Sequence, residues 1–194
     1  MNIFLNNLTT TKTKMDTTEK TTTAKVWTLD KAHAKIGFGI THMLVSEIEG
    51  SFKNFDIKLN APSEDFTGAE IELTAEVNSI DTANEMRDNH LKQADFFHAE
   101  KNPQLTFKSK SFVKVADKKY VLNGDLTFNG VTKNVNLDVK GNVVQHPMNP
   151  ATTIAGFKIT GEVKRADFNF GGNFPTIALS NDVEIKCNVE FTAA

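Results

Sequence analysis

Residues 183–191 read Val183-Glu184-Ile185-Lys186-Cys187-Asn188-Val189-Glu190-Phe191. Every odd position is apolar or a thiol, and every even position is charged or an amide. Successive side chains of an extended chain point to opposite faces. This stretch therefore predicts a strand with one buried face and one wet face, as in an antiparallel sheet. Working back along the chain, the same period of two recurs. Phe157, Ile159 and Val163 form one run, and Val135, Leu137 and Val139 alternate with Asn136 and Asp138. Tyr120, Leu122, Leu126 and Phe128 form another, and Leu105 and Phe107 continue the style. Ile71, Leu73, Ala75 and Val77 alternate with Glu72, Thr74 and Glu76, and Phe55, Ile57 and Leu59 with Asp56 and Lys58. Ile36, Phe38 and Ile40 are separated by Gly37 and Gly39. About eight strands result. Turn signals stand between them at Ala61-Pro62-Ser63-Glu64-Asp65, Asp117-Lys118-Lys119, Asn129-Gly130 and His146-Pro147-Met148-Asn149-Pro150. Many half-buried strands joined by short turns predict a sandwich or a closed barrel.

One segment breaks the pattern. Residues 82–97 predict a helix, with Thr82 and Glu85 at capping-box spacing and Asp81 as an alternative cap. Met86, His90, Leu91, Ala94 and Phe97 fall on one stripe, and Pro103 forbids continuation. The natural surface for that stripe to cover is the open end of a barrel.

The chain has 194 residues and a formal net charge of −2, enough length for one domain with a sizeable core. A near-neutral chain lacks the basic face that nucleic acid requires, so no nucleic-acid partner is expected. A single Cys187 leaves no disulfide framework or multi-cysteine metal site. No apolar run approaches the ~18 residues of a membrane span. Residues 1–25 are dominated by Thr, Lys and Asn and read as a disordered leader ahead of a domain at 26–194. The leader shows no export signal, which makes the cytoplasm the expected location. Met15 offers a second possible start, and a misassigned start would make the periplasm the alternative.

Catalytic motifs do not emerge. Cys187 sits on the apolar face of its strand, where a thiol is inert. There is no GxSxG elbow, HExxH pair or phosphate loop. Asp88 with His90, and Asp95 with His98, can be drawn as ligand pairs but lack a third partner. No metal and no cofactor are therefore expected. What stands out is 15 Phe against one Tyr and one Trp. Such an interior is either a solid core or the lining of an apolar cavity. The only two arginines are Arg87 and Arg165. Arginine offers a rigid fork for phosphate or carboxylate, so each is either an anion ligand or half of a surface ion pair.

Several stretches together resemble a known family. Trp27-Thr28-Leu29-Asp30-Lys31-Ala32-His33 runs on to Gly50-Ser51-Phe52, and Arg87-Asp88-Asn89-His90-Leu91 is followed by Asp95-Phe96-Phe97. Pro103-Gln104-Leu105-Thr106-Phe107 and Gly124-Asp125-Leu126-Thr127-Phe128-Asn129-Gly130 come next, and Arg165-Ala166-Asp167-Phe168 stands near the end. In this order they resemble the YceI-like family of lipocalin-like proteins, with departures at Lys35, Lys92 and Asn169. The resemblance implies an eight-stranded antiparallel barrel with one short amphipathic helix. It implies an apolar tunnel for a long-chain amphiphile: a polyisoprenoid, an isoprenoid quinone or a fatty-acid derivative. It also implies no firmly attached catalysis and a possible homodimer. The family's recurring positions fall on His33, His42, Arg87, Asp88, His90, Leu91, Asp95, Phe96, Phe97 and Asp167.

On that basis the expected tunnel lining is Phe38, Ile40, Leu73, Val77, Phe107, Leu126, Phe128 and Phe157. Met86, Leu91 and Phe97 from the helix would close one end, and the head-group candidates are His42, Arg87 and Arg165. Two rivals stand beside this carrier. One is a lipid-modifying enzyme using His42 or His90. The other is a stress-response interaction module with a solid core and no ligand.

Overall fold

The structure, a computed structural model, describes residues 26–63 and 65–193. The expected leader, residues 1–25, lies outside the described residues, as does Glu64 of the expected turn. Among the described residues ten strands follow one another: β1 (Thr28–His42), β2 (Ser46–Phe52), β3 (Phe55–Asn60), β4 (Glu70–Glu76), β5 (Ile80–Asp81), β6 (Gln104–Ala116), β7 (Lys119–Phe128), β8 (Val131–His146), β9 (Asn149–Lys164) and β10 (Leu179–Ala193). One helix, α1 (Glu85–Leu91), lies between β5 and β6. The fold is all-β and antiparallel, in one sheet ordered β3-β4-β6-β7-β8-β9-β10-β1-β2-β5.

Ten strands replace the expected eight because two of them are broken. β2 and β3 are separated only by Lys53 and Asn54, and both run antiparallel to the β1 path, as the pairs Ile36↔Phe52 and Val26↔Asn60 show. β4 and β5 flank a single 3-10 turn, Val77–Ser79. Counted once each, the broken strands leave eight lengths wrapped round one core. The hydrogen-bonded ladder does not run through a full circle, since it starts at β3 and ends at β5. The two breaks lie side by side. There Lys53 N donates to Ser79 O (3.1 Å), Asn54 N to Ser79 Oγ (2.9 Å) and Glu76 N to Asn54 O (2.9 Å). Ser79 thus supplies partners where the ladder stops, so the bend leaves these amides satisfied.

Alternation decides what faces inward. Val183, Ile185, Cys187, Val189 and Phe191 of β10 all line the interior, as do Val135, Leu137 and Val139 of β8. In β6 a register shift between Ser109 and Ser111 moves the inward set from Leu105 and Phe107 to Phe112, as an extra residue must. Glycine makes room for the rings. A Cβ on Gly124 would meet the Phe107 ring at 2.4 Å, and one on Gly50 the Phe38 ring at 2.3 Å. Large inward side chains therefore lie against bare backbone on the neighbouring strand.

The helix is shorter than its periodicity predicts. Asn84 is the N-cap, its side chain accepting from Arg87 N at 3.0 Å; Thr82 and Asp81 are not. The helix ends at Leu91, and residues 92–97 turn instead, with Phe97 N donating to Leu91 O. A continued helix would swing Phe96 and Phe97 about 100° apart. The turn instead buries both. Two further expectations are corrected here. Met86 is 84% exposed, and Val77 is fully buried within the 3-10 turn, its N–H on Pro103 O. Neither lines the interior.

Strand direction gives the barrel two distinct ends. One carries the β1–β2 hairpin, residues 82–103, the Asn129-Gly130 turn and residues 165–178; it is called the mouth below. The other carries residues 61–63 and 65–69 and the β6–β7 and β8–β9 hairpins. There Phe66 packs on Trp27 (5.2 Å) and edge-on to Phe157 (5.1 Å), and Gly68 N is held by Phe112 O.

Candidate functional site

The barrel encloses a cavity of about 650 Å³, in the range of pockets that hold a small molecule. Of the expected lining, Phe38, Ile40, Leu73, Leu91, Phe97, Phe107, Leu126, Phe128 and Phe157 border it. Many residues outside that expected lining do too, including Phe96, marked only by the family resemblance, and Phe170 and Phe174 of the mouth segments. These follow no strand period, so alternation could not find them. Only their aromatic density in Phe168-Asn169-Phe170 and Phe174 hinted at burial.

The described residues that line the cavity include no Asp, Glu or Lys. Their ionisable or hydroxyl side chains are His42, Thr82, Arg87, His90, Arg165 and Cys187. All but Cys187 come from mouth elements. His42 ends β1 in phase with Phe38 and Ile40, so it faces inward at the last position before the hairpin.

Arg87 and Arg165 look equivalent in sequence and are not in structure. Arg165 is only 4% exposed. Its Nε donates to Ser180 O (2.9 Å), Nη1 to Phe170 O (3.2 Å) and Gly171 O (2.5 Å), and Nη2 to Phe174 O (2.6 Å) and Leu179 O (3.1 Å). A guanidinium has five N–H donors, and all five are taken by backbone carbonyls. Burial lowers its pKa from the ordinary value. Arg165 is therefore a clasp for residues 170–180 with no fork left for a head group, which corrects the expectation for it. Among the described residues neither arginine forms an ion pair.

Arg87 is held differently. Its Nε donates to Thr82 Oγ1 (2.7 Å) and its Nη2 to Thr82 O (2.6 Å). Thr82 is fixed in turn by Asp88, whose Oδ1 accepts from Thr82 N (2.9 Å) and Thr82 Oγ1 (2.6 Å). The motif Arg87-Asp88 is thus a two-step support. Asp88 orients Thr82, and Thr82 orients the arginine. Among the described residues Arg87 Nη1 has no hydrogen-bond acceptor and no carboxylate forms an ion pair with Arg87.

The histidines separate as well. His90 Nε2 meets Asp95 Oδ2 at 3.1 Å, and its ring packs edge-on to Phe96 at 4.9 Å. No hydroxyl or thiol bonds to it among the described residues. His33 lies outside the cavity with Asp30 and Glu190, the one group of three potential metal-ligand side chains among the described residues. Its Nδ1 is engaged by Asp30 at 2.9 Å, and that hydrogen bond raises the His33 pKa. His146 Nδ1 accepts from Met148 N and Asn149 N and shapes a turn. The Cys187 thiol on the cavity wall is pushed up to about 11 by burial, so it stays protonated at neutral pH and is a poor nucleophile.

Comparison with known proteins agrees with this geometry. The YceI-like domain family matches residues 27–191. A UPF0312 protein of Staphylococcus aureus strain N315 is 36% identical over 171 residues, covering 86% of this chain and 96% of the relative. The crystal structure of a Campylobacter jejuni YceI protein is 36% identical, with a TM-score of 0.70 over 86% of this chain and 96% of that one. A polyisoprenoid binding domain from Saccharophagus degradans, implicated in plant cell wall breakdown, shares the fold at a TM-score of 0.61 and 14% identity, over 88% of this chain and 99% of that one. The matched span and the identities place this chain in the YceI-like family.

Proposed function

We propose that the protein is a non-enzymatic carrier that holds a long-chain amphiphile, of the polyisoprenoid, isoprenoid-quinone or fatty-acid kind, in its barrel cavity. The observation that carries this reading is the lining itself: among the described residues it is free of carboxylates and lysines, and apart from the Cys187 thiol its ionisable and hydroxyl side chains stand toward the mouth. Burying a chain in such a wall gains about 0.8 kcal/mol per methylene, so a long tail binds without polar contacts. The Arg87 Nη1 donor, without an acceptor among the described residues, and His42 on the same cavity wall support recognition of a phosphate or carboxylate head at that end. The Saccharophagus degradans domain of the same fold, described as polyisoprenoid binding, is consistent with it.

Native mass spectrometry of freshly purified protein, followed by organic extraction, is the direct test. A stoichiometric added mass that extracts as a prenyl or acyl lipid is the expected result. Leu126→Trp should then cut the loaded fraction at least tenfold, because the indole fills cavity space beside Phe107. A folded Leu126→Trp protein that loads as well as wild type would refute the assignment of this cavity as the lipid site.

One observation favours a second reading. The His90–Asp95 pair on the cavity has the form of an oriented general base. A lipid-modifying enzyme would lose turnover in His90→Ala while keeping binding, whereas the carrier predicts retained cargo and no turnover in either protein.

A further inference from the structure

The β1–β2 hairpin turns through Met43 and Leu44, with Val45 N on His42 O. Met43 has φ 51° and Leu44 φ 63°. His42 pairs with Ser46, so three residues form the loop, and its β-turn over residues 42–45 has positive φ at both central positions, a geometry for which Asn-Gly is the preferred sequence. The protein uses that solution at the same end of the barrel, in Asn129 (φ 49°) and Gly130 (φ 72°). At residues 43–44 it places two bulky apolar side chains instead, against backbone preference. Solvation opposes the choice too, since Met43, Leu44 and Val45 are all more than half exposed.

Met43 N donates to Ala178 O at 3.0 Å, which ties the tip to the segment carrying Ile177, also more than half exposed. His42, Ala178 and Leu179, next to these residues, line the cavity. The four exposed side chains therefore form an apolar rim on the mouth itself. Residues 170–180 contain no charged side chain, and residues 41–46 contain only His42. Charge resumes on the outer wall just below, where Lys186 is surrounded by Glu47, Glu49 and Glu184. Three carboxylates around one ammonium leave that wall acidic.

We propose that the rim of Met43, Leu44, Val45 and Ile177 inserts into the surface of an electrically neutral lipid bilayer and aligns the cavity mouth with it for transfer of cargo. An uncharged apolar tip suits the interfacial region of a bilayer, and the acidic wall behind it disfavours an anionic one. The inference rests on the carrier reading for its purpose, but docking can be read without cargo.

The experiment uses the full chain and the variant carrying Met43→Asn, Leu44→Gly and Val45→Ser, which gives the turn its preferred residues and touches no cavity-lining side chain. Flotation with phosphatidylcholine vesicles, against vesicles enriched in phosphatidylglycerol, measures docking alone. Uptake of a fluorescent prenyl alcohol from cyclodextrin measures cargo binding alone, and uptake from vesicles measures transfer. Wild type should float with the neutral vesicles, and more weakly with the anionic ones. The variant should float at least tenfold less and load from vesicles at least tenfold more slowly, with unchanged affinity from cyclodextrin. A variant that floats and loads like wild type overturns the docking role and leaves the carrier intact. A wild type that floats but binds no prenyl alcohol from either source overturns the carrier and keeps the docking. A wild type that does not float, yet sediments as a dimer that the variant loses, overturns the bilayer in favour of a second copy of the chain.

Discussion

The two ends of the barrel are closed by different means. At the far end Phe66 is almost fully buried, with Trp27 and Phe157 on its ring. The seal is apolar, and it is good enough to hold Phe66 itself at φ 63°. At the mouth the aromatic rings are more numerous, with Phe96, Phe97, Phe128, Phe168, Phe170 and Phe174 packed together, and the loop that carries two of them is held by an arginine. Arg165 fixes residues 170–180 with five carbonyl contacts, so Phe170 and Phe174 sit over the cavity on a loop that has no strand ladder of its own. Arg87 sits in the same region, and among the described residues its Nη1 has no acceptor. One end is thus built for closure. The other is built from loops, with polar groups that can meet a guest. The contrast shows that the same residue type serves architecture when its donors are exhausted and remains available for binding when they are not.

The contrast can be broken from either side. The largest effect is expected at the closed end: Phe66→Ala should cost about 3–5 kcal/mol, read as a fall in thermal midpoint. An unchanged midpoint would mean that the far end is not a structural seal. Next comes Arg165→Lys, which keeps the charge but cannot reach five carbonyls. It should cost about 3 kcal/mol, since each stranded polar group costs about 1–3 kcal/mol. Loss of less than about 1 kcal/mol would erase the distinction between the two arginines.

The wall between the ends gives a smaller and pH-dependent signal. The Cys187 thiol is held at about 11 by burial, above the unfolded value of about 8.5. The native state therefore keeps its proton where the unfolded chain releases it, and stability should fall as pH rises from about 8.5 toward 11, by on the order of 2 kcal/mol. Denaturant titrations at pH 8 and pH 10.5 test this, and Cys187→Val should remove that component of the loss. A wall open to water from the mouth would show no such component. The smallest effect is the sharpest. Arg87→Gln should weaken a long-chain alkyl phosphate about tenfold, equal to about 1.4 kcal/mol, and leave the matching alcohol unchanged. An equal loss for both ligands would show that Arg87 shapes the wall and does not meet the head.

Strands and their inward faces were legible in the sequence because alternation is a local property. Val183 to Phe191 declare their faces without reference to any other residue. The breaks were not legible, because Lys53-Asn54 and Val77–Ser79 depart from strand geometry to bend round a narrow barrel. That is why Val77, in phase with Leu73 and Ala75, leaves the wall. The helix began near its predicted start and ended early because Phe96 and Phe97 are both required inside, which no helical stripe can provide. Thr82 was read as a cap because its spacing to Glu85 fits one. In the structure its hydroxyl serves Asp88 and Arg87, a choice made by side chains that meet only after folding. The two arginines were indistinguishable for the same reason. The acceptors of Arg165 are carbonyls, which no sequence pattern marks.

The uniform wall also bears on selection among cargoes. A surface of Phe, Ile, Leu and Val judges a guest by the sum of its contacts, and one methylene more or less changes that sum by only about 1–3 kcal/mol. Among the described residues the wall away from the mouth offers only the weak donor of Cys187, which does not reject a tail that is somewhat longer, shorter or differently unsaturated. For a carrier of this kind, the occupant in a cell is the fitting amphiphile in greatest supply, and a change in lipid synthesis changes the cargo with no change in the protein.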